Sequence, residues 1–160
     1  MAIDTQALRG ALGQFTTGVT IMTCSGPQGE RHGLTVNSFN SLSLDPALVT
    51  WALRRASPLV QPFLQAGHFA VNVLAASQME VSRRFASPVP DRFAAGQWVP
   101  GPHALPWLAG ATARLACRTH QHLEAGDHLL FVGEVLAVEV ESHSPLLYHG
   151  GRYCLLGEPL

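Results

Sequence analysis

The chain has 160 residues, of which 47% are hydrophobic and 13% charged, and its formal net charge is −1. This length predicts one domain, residues 1–160, with a single sizeable core, and the apolar content excludes a disordered chain. The near-neutral charge supplies no general field for nucleic acid or for an anionic membrane surface. We therefore expect a small-molecule partner, and the low charged fraction favours a homo-oligomer.

The N-terminal residues and the cysteines indicate in which cellular compartment the protein is expected. The first residues contain no basic stretch followed by an apolar run, and no segment is long enough to span a bilayer, so we expect a cytoplasmic protein. Cys24, Cys117 and Cys154 are far apart and form no Cys-x-x-Cys pair. This pattern predicts reduced, buried thiols and neither a disulfide framework nor a zinc knuckle.

The first half of the chain predicts a helix and a hairpin. Residues 5–15 place Leu8, Ala11, Leu12 and Phe15 on one helical face. Residues 19–25 are rich in β-branched side chains and predict a strand, and the turn-rich residues 26–29 predict a hairpin that joins it to the next stretch.

The middle of the chain alternates strands with short helices. Residues 47–53 predict a strand, and Ser57-Pro58 resembles the start of a helix. Residues 68–74 predict a strand that is buried on both faces. Ser77 and Glu80 have the spacing of a capping box before the next helix.

Residues 87–106 are rich in proline and glycine, which predicts a long irregular loop. Two long β segments follow, residues 111–121 and 128–141, and Gly133 suggests a bulge or a close backbone approach in the second. Strands dominate and no βαβ pattern is present, so the sequence predicts an antiparallel barrel with a few peripheral helices.

A run of neutral polar residues stands out in residues 33–46, GLTVNSFNSLSLDP. Its hydroxyls lack a neighbouring histidine, so a serine nucleophile is not indicated. Neutral hydrogen-bonding groups along an extended backbone suit a flat polar heterocycle with a polyol and a phosphate. An edge strand with solvated hydroxyls explains the same pattern.

Several segments together resemble one known family. The sequences of residues 33–39, 69–74, 126–128 and 145–148, together with Ser41, Ser43, Asp45-Pro46, Gln78 and Phe85-Ala86, occur in the order and spacing of the short-chain flavin reductases. The resemblance extends from Leu8 to about Leu155. It implies an FMN-binding split β-barrel and a homodimer that transfers hydride from NADH or NADPH to FMN or FAD. Family members often pass the reduced flavin to a separate monooxygenase.

The resemblance also implies which residues hold the flavin. The stretch that would line the ring and ribityl chain consists of Thr35, Val36, Asn37, Ser38, Phe39, Ser41 and Ser43. Arg54, Arg55 and Ser57 would lie near the phosphate, and the choice between the two arginines stays open. Phe85, Tyr148 and Arg152 match family positions near the cofactor, whereas Tyr153 is equally explained by strand packing.

A second implied site is Gly126-Asp127-His128. By resemblance, His128 orients the nicotinamide against the flavin, and Asp127 fixes the histidine. The cofactors carry the chemistry, so the protein has to stack two rings at reacting distance.

Two other interpretations follow from the residues. His120 and His122 share a strand face and could bind a metal, although no carboxylate or cysteine accompanies them at ligand spacing. The same barrel could also bind flavin without admitting a nicotinamide. The sequence does not distinguish FMN from FAD or NADH from NADPH.

Overall fold

The computed structural model describes residues 2–160 and begins with a short, exposed helix. Helix α1 spans Thr5–Leu12, and the Asp4 carboxylate caps it by accepting hydrogen bonds from the backbone N–H groups of Gln6 and Ala7 at 3.2 and 3.1 Å. The helix therefore ends before the predicted Phe15. Its apolar side chains are not buried by this chain, since Leu8 and Leu12 are 44% and 64% exposed.

Strands are the predominant regular structure, which confirms the mainly β expectation. Their bounds in chain order are β1 Thr17–Gly18, β2 Thr20–Ser25, β3 Arg31–Val36, β4 Asn40–Leu44, β5 Ala47–Arg54, β6 His68–Val73, β7 Trp98–Pro100, β8 Pro106–Leu108, β9 Ala113–Ala125, β10 His128–Val140, β11 Leu146–His149 and β12 Arg152–Leu155. The remaining helices are α2 Val60–Ala66 and α3 Met79–Phe85, with single 3₁₀ turns at Ala76–Gln78, Arg92–Ala94 and Pro102–Ala104.

The main sheet is antiparallel throughout and has seven strands in the order β3-β2-β6-β9-β10-β5-β4. Strands β3 and β4 are consecutive in the chain but lie at opposite edges of this sheet. The sheet must therefore curl until its two edges approach each other, which gives an open barrel. Small sheets of β1-β11-β12 and β7-β8 complete the fold.

An aromatic cluster fills the barrel. The Trp51 and Phe131 rings are stacked with centroids 4.7 Å apart, and Phe63 from α2 meets Trp51 edge-on at 4.9 Å. Phe69 of β6 completes the group, and residues 69–72 of that strand are buried on both faces, as the sequence predicts. Aromatic pairs of this kind stabilise a core by more than their area alone.

Two predicted helix starts are corrected by the structure. Helix α2 begins at Val60, because the Ser57 hydroxyl accepts from the Leu59 N–H at 3.2 Å and closes a turn ahead of the helix. Before α3, the Gln78 side chain accepts from the Ala75 N–H at 3.0 Å. Glu80 pairs with Arg83 one turn later, so the predicted Ser77–Glu80 box is not formed.

Residues 87–106 are more ordered than their composition suggests. They contain β7 and the first residue of β8, which pair as a short ribbon. Two buried polar side chains tie this ribbon to the barrel: Thr23 donates to the Pro106 carbonyl at 2.7 Å, and Asn72 accepts from the Leu108 N–H at 2.8 Å. These bonds satisfy buried backbone groups that would otherwise be costly.

Two of the three cysteines are buried, as the sequence predicts. Cys24 and Cys117 are buried, and burial raises the pKa of each thiol to about 12, while Cys154 is partly buried. Within residues 2–160, no helix has the length and apolar character needed to cross a membrane.

The predicted irregularity at Gly133 is present and has a packing cause. The β9–β10 register shifts between Val132 and Gly133. A Cβ atom at Gly133 would lie 2.4 Å from Phe69 Cζ and 3.3 Å from Cys117 Cβ. The absence of a side chain therefore lets the strand pass directly over the core.

We predict that Gly133→Ala lowers the free energy of unfolding by about 1–3 kcal/mol, because the new methyl group overpacks the core. Gly10→Ala is the matched control: nothing lies within 4 Å of a Cβ placed there, so this helical substitution should be neutral or slightly stabilising. Urea unfolding of both variants measures the difference. Equal stability of Gly133→Ala and the wild type would contradict the packing explanation.

Candidate functional site

A cleft of 280 Å³ lies where the two edges of the barrel face each other. Strand β4 pairs with only residues 47–50 of β5, so residues 51–54 of β5 have a free edge. Strand β3 pairs only with β2 among the described strands. One wall of the cleft is therefore residues 34–38, the other is residues 52–54, and Ser57 and His128 close one end.

Ser38 bridges the two walls. Its hydroxyl donates to the Ala52 carbonyl at 3.2 Å and accepts from the Ala52 N–H at 3.0 Å. The Ser38 hydroxyl thus takes the place of the backbone groups that a neighbouring strand would offer to Ala52. The hydroxyl of Thr35 is also used internally, because it donates to the Ser82 carbonyl of α3 at 2.7 Å.

A second cleft of 210 Å³ adjoins the first along residues 35–37. Tyr148 and Tyr153 line it and meet edge to face with centroids 5.5 Å apart. The Tyr153 hydroxyl is 2.8 Å from the Ser82 hydroxyl. The sequence alone explains Tyr153 equally well by strand packing, but Tyr153 lies directly opposite Tyr148 in the β11–β12 pair, which puts both rings on one face.

His128 lines the polar end of the cleft, and Asp127 is its hydrogen-bond partner. His128 Nδ1 lies 2.8 Å from Asp127 Oδ1, and His128 is the cross-strand neighbour of Arg54. The hydrogen bond with His128, reinforced by the charge of the ring, holds the pKa of the Asp127 carboxyl below its ordinary value. An ionised carboxylate only accepts, so Nδ1 carries the proton and Nε2 is left for another partner.

The structure distinguishes Arg54 from Arg55, between which the sequence did not decide. Arg54 lines the cleft, whereas Arg55 lies on another face. The Arg55 guanidinium contacts Glu124 at 3.4 Å and donates to the Gly126 carbonyl at 3.4 Å. Only Arg54 is therefore brought together with Ser57 and His128.

Several other predicted binding residues lie away from the cleft in this chain. Ser41 and Ser43 are on the edge strand β4, and Phe39 packs against the barrel core. Phe85 is fully buried and contacts Phe93 and Trp98. Arg152 is exposed at the start of β12. The predicted residues that do line the two adjoining clefts are Thr35, Val36, Asn37, Ser38, Arg54, Ser57, His128 and Tyr148.

Among the described residues, the structure brings no further metal ligand to the alternative site at His120 and His122. The His122 ring is tilted by 40° against the Phe131 ring, with centroids 6.2 Å apart. Within residues 2–160, no group of three or more His, Cys, Asp or Glu side chains lies close enough to hold a metal ion.

An antiparallel barrel with an open seam and a neutral polar cleft along it defines the class of FMN-binding split-barrel proteins. The chain belongs to the Flavin reductase like domain family, which matches residues 12–157. The structure superposes on that of the NADH:FAD oxidoreductase SgcE6 from Streptomyces globisporus, solved with NAD and FAD fragments, with a TM-score of 0.91 and 36% identity over 98% of this chain and 97% of that one.

Curated relatives are similar over nearly the whole chain. The chain is 41% identical to the stachydrine N-demethylase reductase subunit Stc3 of Rhizobium meliloti and to the FMN reductase (NADH) SmoA of Agrobacterium fabrum, covering 94% of this chain in each case. It spans 85% of SmoA but only 65% of Stc3. It spans about half of two further relatives, 48% and 47% of their lengths.

We predict that the pKa of Asp127 rises toward its ordinary value in His128→Ala, because the hydrogen bond that favours the carboxylate is lost. Carboxyl chemical shifts followed through an acid titration measure it. Since the folded-state pKa is the lower one, the stabilising contribution of this pair is complete above the unfolded-state pKa and disappears as the pH falls through the folded-state value.

The matched control is His143→Ala, which removes a similarly exposed histidine 3.0 Å from the carboxylate of Glu141. It should leave the Asp127 titration unchanged. An Asp127 pKa that is the same in His128→Ala and the wild type would contradict the pairing.

Proposed function

We propose that this protein is an NAD(P)H-dependent flavin reductase that uses FMN or FAD. The observation that carries the proposal is the seam cleft itself: a neutral polar wall of residues 34–38 that ends at Arg54, Ser57 and His128. Membership of the flavin reductase family and 41% identity to an FMN reductase (NADH) support it. We also propose that residues 1–160 act as one functional domain.

The cleft residues fit a flavin in chemistry and shape. The two adjoining clefts have volumes of 280 and 210 Å³, and together they fall within the range of about 300–1,000 Å³ that is common for small-molecule sites. Asn37 and the backbone of β3 supply neutral donors and acceptors for a ring edge and a polyol. Arg54 and the Ser57 hydroxyl are the groups at the end where a phosphate would be held.

Neutral contacts suit a flavin that has to leave after reduction. Each neutral hydrogen bond contributes only about 1 kcal/mol net, so a wall of this kind gives moderate affinity. Two relatives are named as a reductase subunit of a demethylase and a reductase component of a monooxygenase. We therefore propose that the reduced flavin is supplied to a separate oxygenase.

His128 and Asp127 act on the nicotinamide in this proposal. When both cofactors are bound, hydride passes from the dihydronicotinamide to the flavin ring, and the protein supplies no proton for that step. Asp127 fixes the His128 ring through Nδ1, and Nε2 is left to form a hydrogen bond with the carboxamide of the nicotinamide. Fixing this geometry in advance lowers the entropic cost of stacking two rings.

The experiment that tests the function is oxidation of NADH and NADPH, followed by absorbance, with FMN, FAD and riboflavin as acceptors. We expect oxidation above the flavin-only rate. His128→Ala should raise the KM for the nicotinamide about tenfold, with flavin affinity changed less than about twofold, since one oriented hydrogen bond is lost. His143→Ala serves as the control and should match the wild type.

Two results would count against this assignment. Flavin binding without oxidation of either nicotinamide would leave a flavin-binding protein with no reductase activity. Equal loss of flavin and nicotinamide affinity in His128→Ala would mean that the histidine maintains the structure of the cleft and does not specifically orient the nicotinamide.

We further propose that the protein is a homodimer, because one chain leaves large apolar surfaces uncovered. The outward side chains of β10 include Val138 and Val140, which are 64% and 77% exposed, and the apolar face of α1 is also open. A monomer rarely exposes such contiguous apolar patches, and a second copy would bury them.

Light scattering after size exclusion should therefore give a particle of twice the 17.2 kDa chain mass. The mass should persist on dilution to low micromolar concentration, since apolar interfaces are typically tight. A particle of single-chain mass at all concentrations would contradict the dimer.

A further inference from the structure

A third cleft continues from the seam, and apart from the shared Leu34 and Ser57 its lining residues have no role in the proposed function. Its volume is 320 Å³, and it shares Leu34 and Ser57 as walls with the seam cleft. The other walls are the start of β3, the turn before α2, and residues 89–93. A ligand that extends past the phosphate end of the seam would therefore enter this cleft.

The charge of the third cleft differs from that of the seam. Arg31, His32 and Arg92 line it, against one carboxylate, Asp91. Arg92 is partly buried and donates to the Gly33 carbonyl at 2.7 Å, which joins the cleft to the free edge of β3. Guanidinium groups stay charged in proteins, so the cleft has a fixed positive character.

Flat apolar surface lies beside these charges. The Arg31 guanidinium carbon lies over the Phe93 ring, 4.5 Å from its centroid, so a cation–π contact helps to hold the guanidinium beside the cleft. Pro58, Leu59, Val89 and Pro90 form the remaining apolar lining. Cations beside planar apolar surface are the features that recognise a phosphate joined to an aromatic base.

We propose that the third cleft binds the adenylate half of FAD, and that the protein binds FAD in preference to FMN. The inference rests on the proposed flavin reductase function. With the flavin ring in the seam and its phosphate at Arg54 and Ser57, FMN ends where the third cleft begins. FAD continues with a second phosphate, which Arg31 contacts, and an adenine, which lies on the apolar lining.

Calorimetric titration with FAD, FMN and riboflavin tests the proposal. FAD should bind about tenfold or more tightly than FMN, because a charge-assisted contact adds to the neutral ones. Arg31→Gln should raise the Kd for FAD about tenfold and leave the Kd for FMN unchanged. Arg31 is exposed, so the variant should fold normally. Arg9→Gln, on the exposed helix α1, is the control and should change neither Kd.

Adenosine monophosphate provides an independent probe that needs no variant. It should weaken FAD binding competitively and leave riboflavin binding unaffected. NADH also contains an adenylate, so it could compete for the same cleft. If the cleft is specific for FAD, Arg31→Gln should leave the KM for NADH unchanged when FMN is the acceptor.

The proposal is overturned if FAD and FMN bind within about twofold of each other, or if Arg31→Gln weakens both equally. It is also overturned if the variant raises the KM for NADH with FMN while the Kd for FAD stays the same, because the cleft would then hold the nicotinamide dinucleotide. In each of these cases NADH oxidation with FMN would continue, so failure of this proposal is distinct from failure of the reductase function.

Discussion

The fold depends on two strand edges that face each other without pairing. Unpaired strand edges expose rows of backbone donors and acceptors, and proteins usually cover or pair them. Here the free edge of β3 faces residues 51–54 of β5, and Ser38 spans the gap through two hydrogen bonds to Ala52. The seam is thereby held at a fixed width, and it keeps polar groups available for a flat ligand.

The surrounding elements maintain this seam from several sides. The Thr35 hydroxyl fastens β3 to α3, and the Arg92 side chain binds the Gly33 carbonyl on the same strand. The aromatic cluster around Trp51 supports the opposite wall from inside the barrel. Preorganisation of this kind reduces the entropy that a bound ligand would otherwise have to overcome. The stability of the barrel and the affinity of the cleft therefore depend on some of the same contacts.

Much of the fold could be predicted from the sequence because its signals are local. Turn residues delimit the hairpins, and alternation identifies β6 and β10 as strands. The helix starts at Ser57 and Ser77 were misplaced because capping patterns are short, and nearby Leu59 and Gln78 formed competing hydrogen bonds. The short ribbon in residues 87–108 was missed because it is held by distant Thr23 and Asn72.

The candidate site was predicted less completely, for a related reason. A sequence shows that hydroxyls are present but not which of them the backbone uses, as Thr35 and Ser38 illustrate. It also could not decide between Arg54 and Arg55, because only the fold shows that Arg54, the last residue of β5, lines the cleft, whereas Arg55, in the turn that follows, pairs with Glu124. Tyr153 was not selected because its cleft wall is built by a strand pair remote from residues 33–46.

The most direct test of the central claim is an amide chemical-shift titration of the protein with oxidised FMN. The account predicts that the largest shifts occur on both sides of the seam, in residues 34–38 and 52–54, with smaller shifts at Asp127 and His128. The chemical shifts of the amides in helix α1 should not change. Saturable shifts confined to any other surface, or the absence of shifts at both walls of the seam, would contradict it.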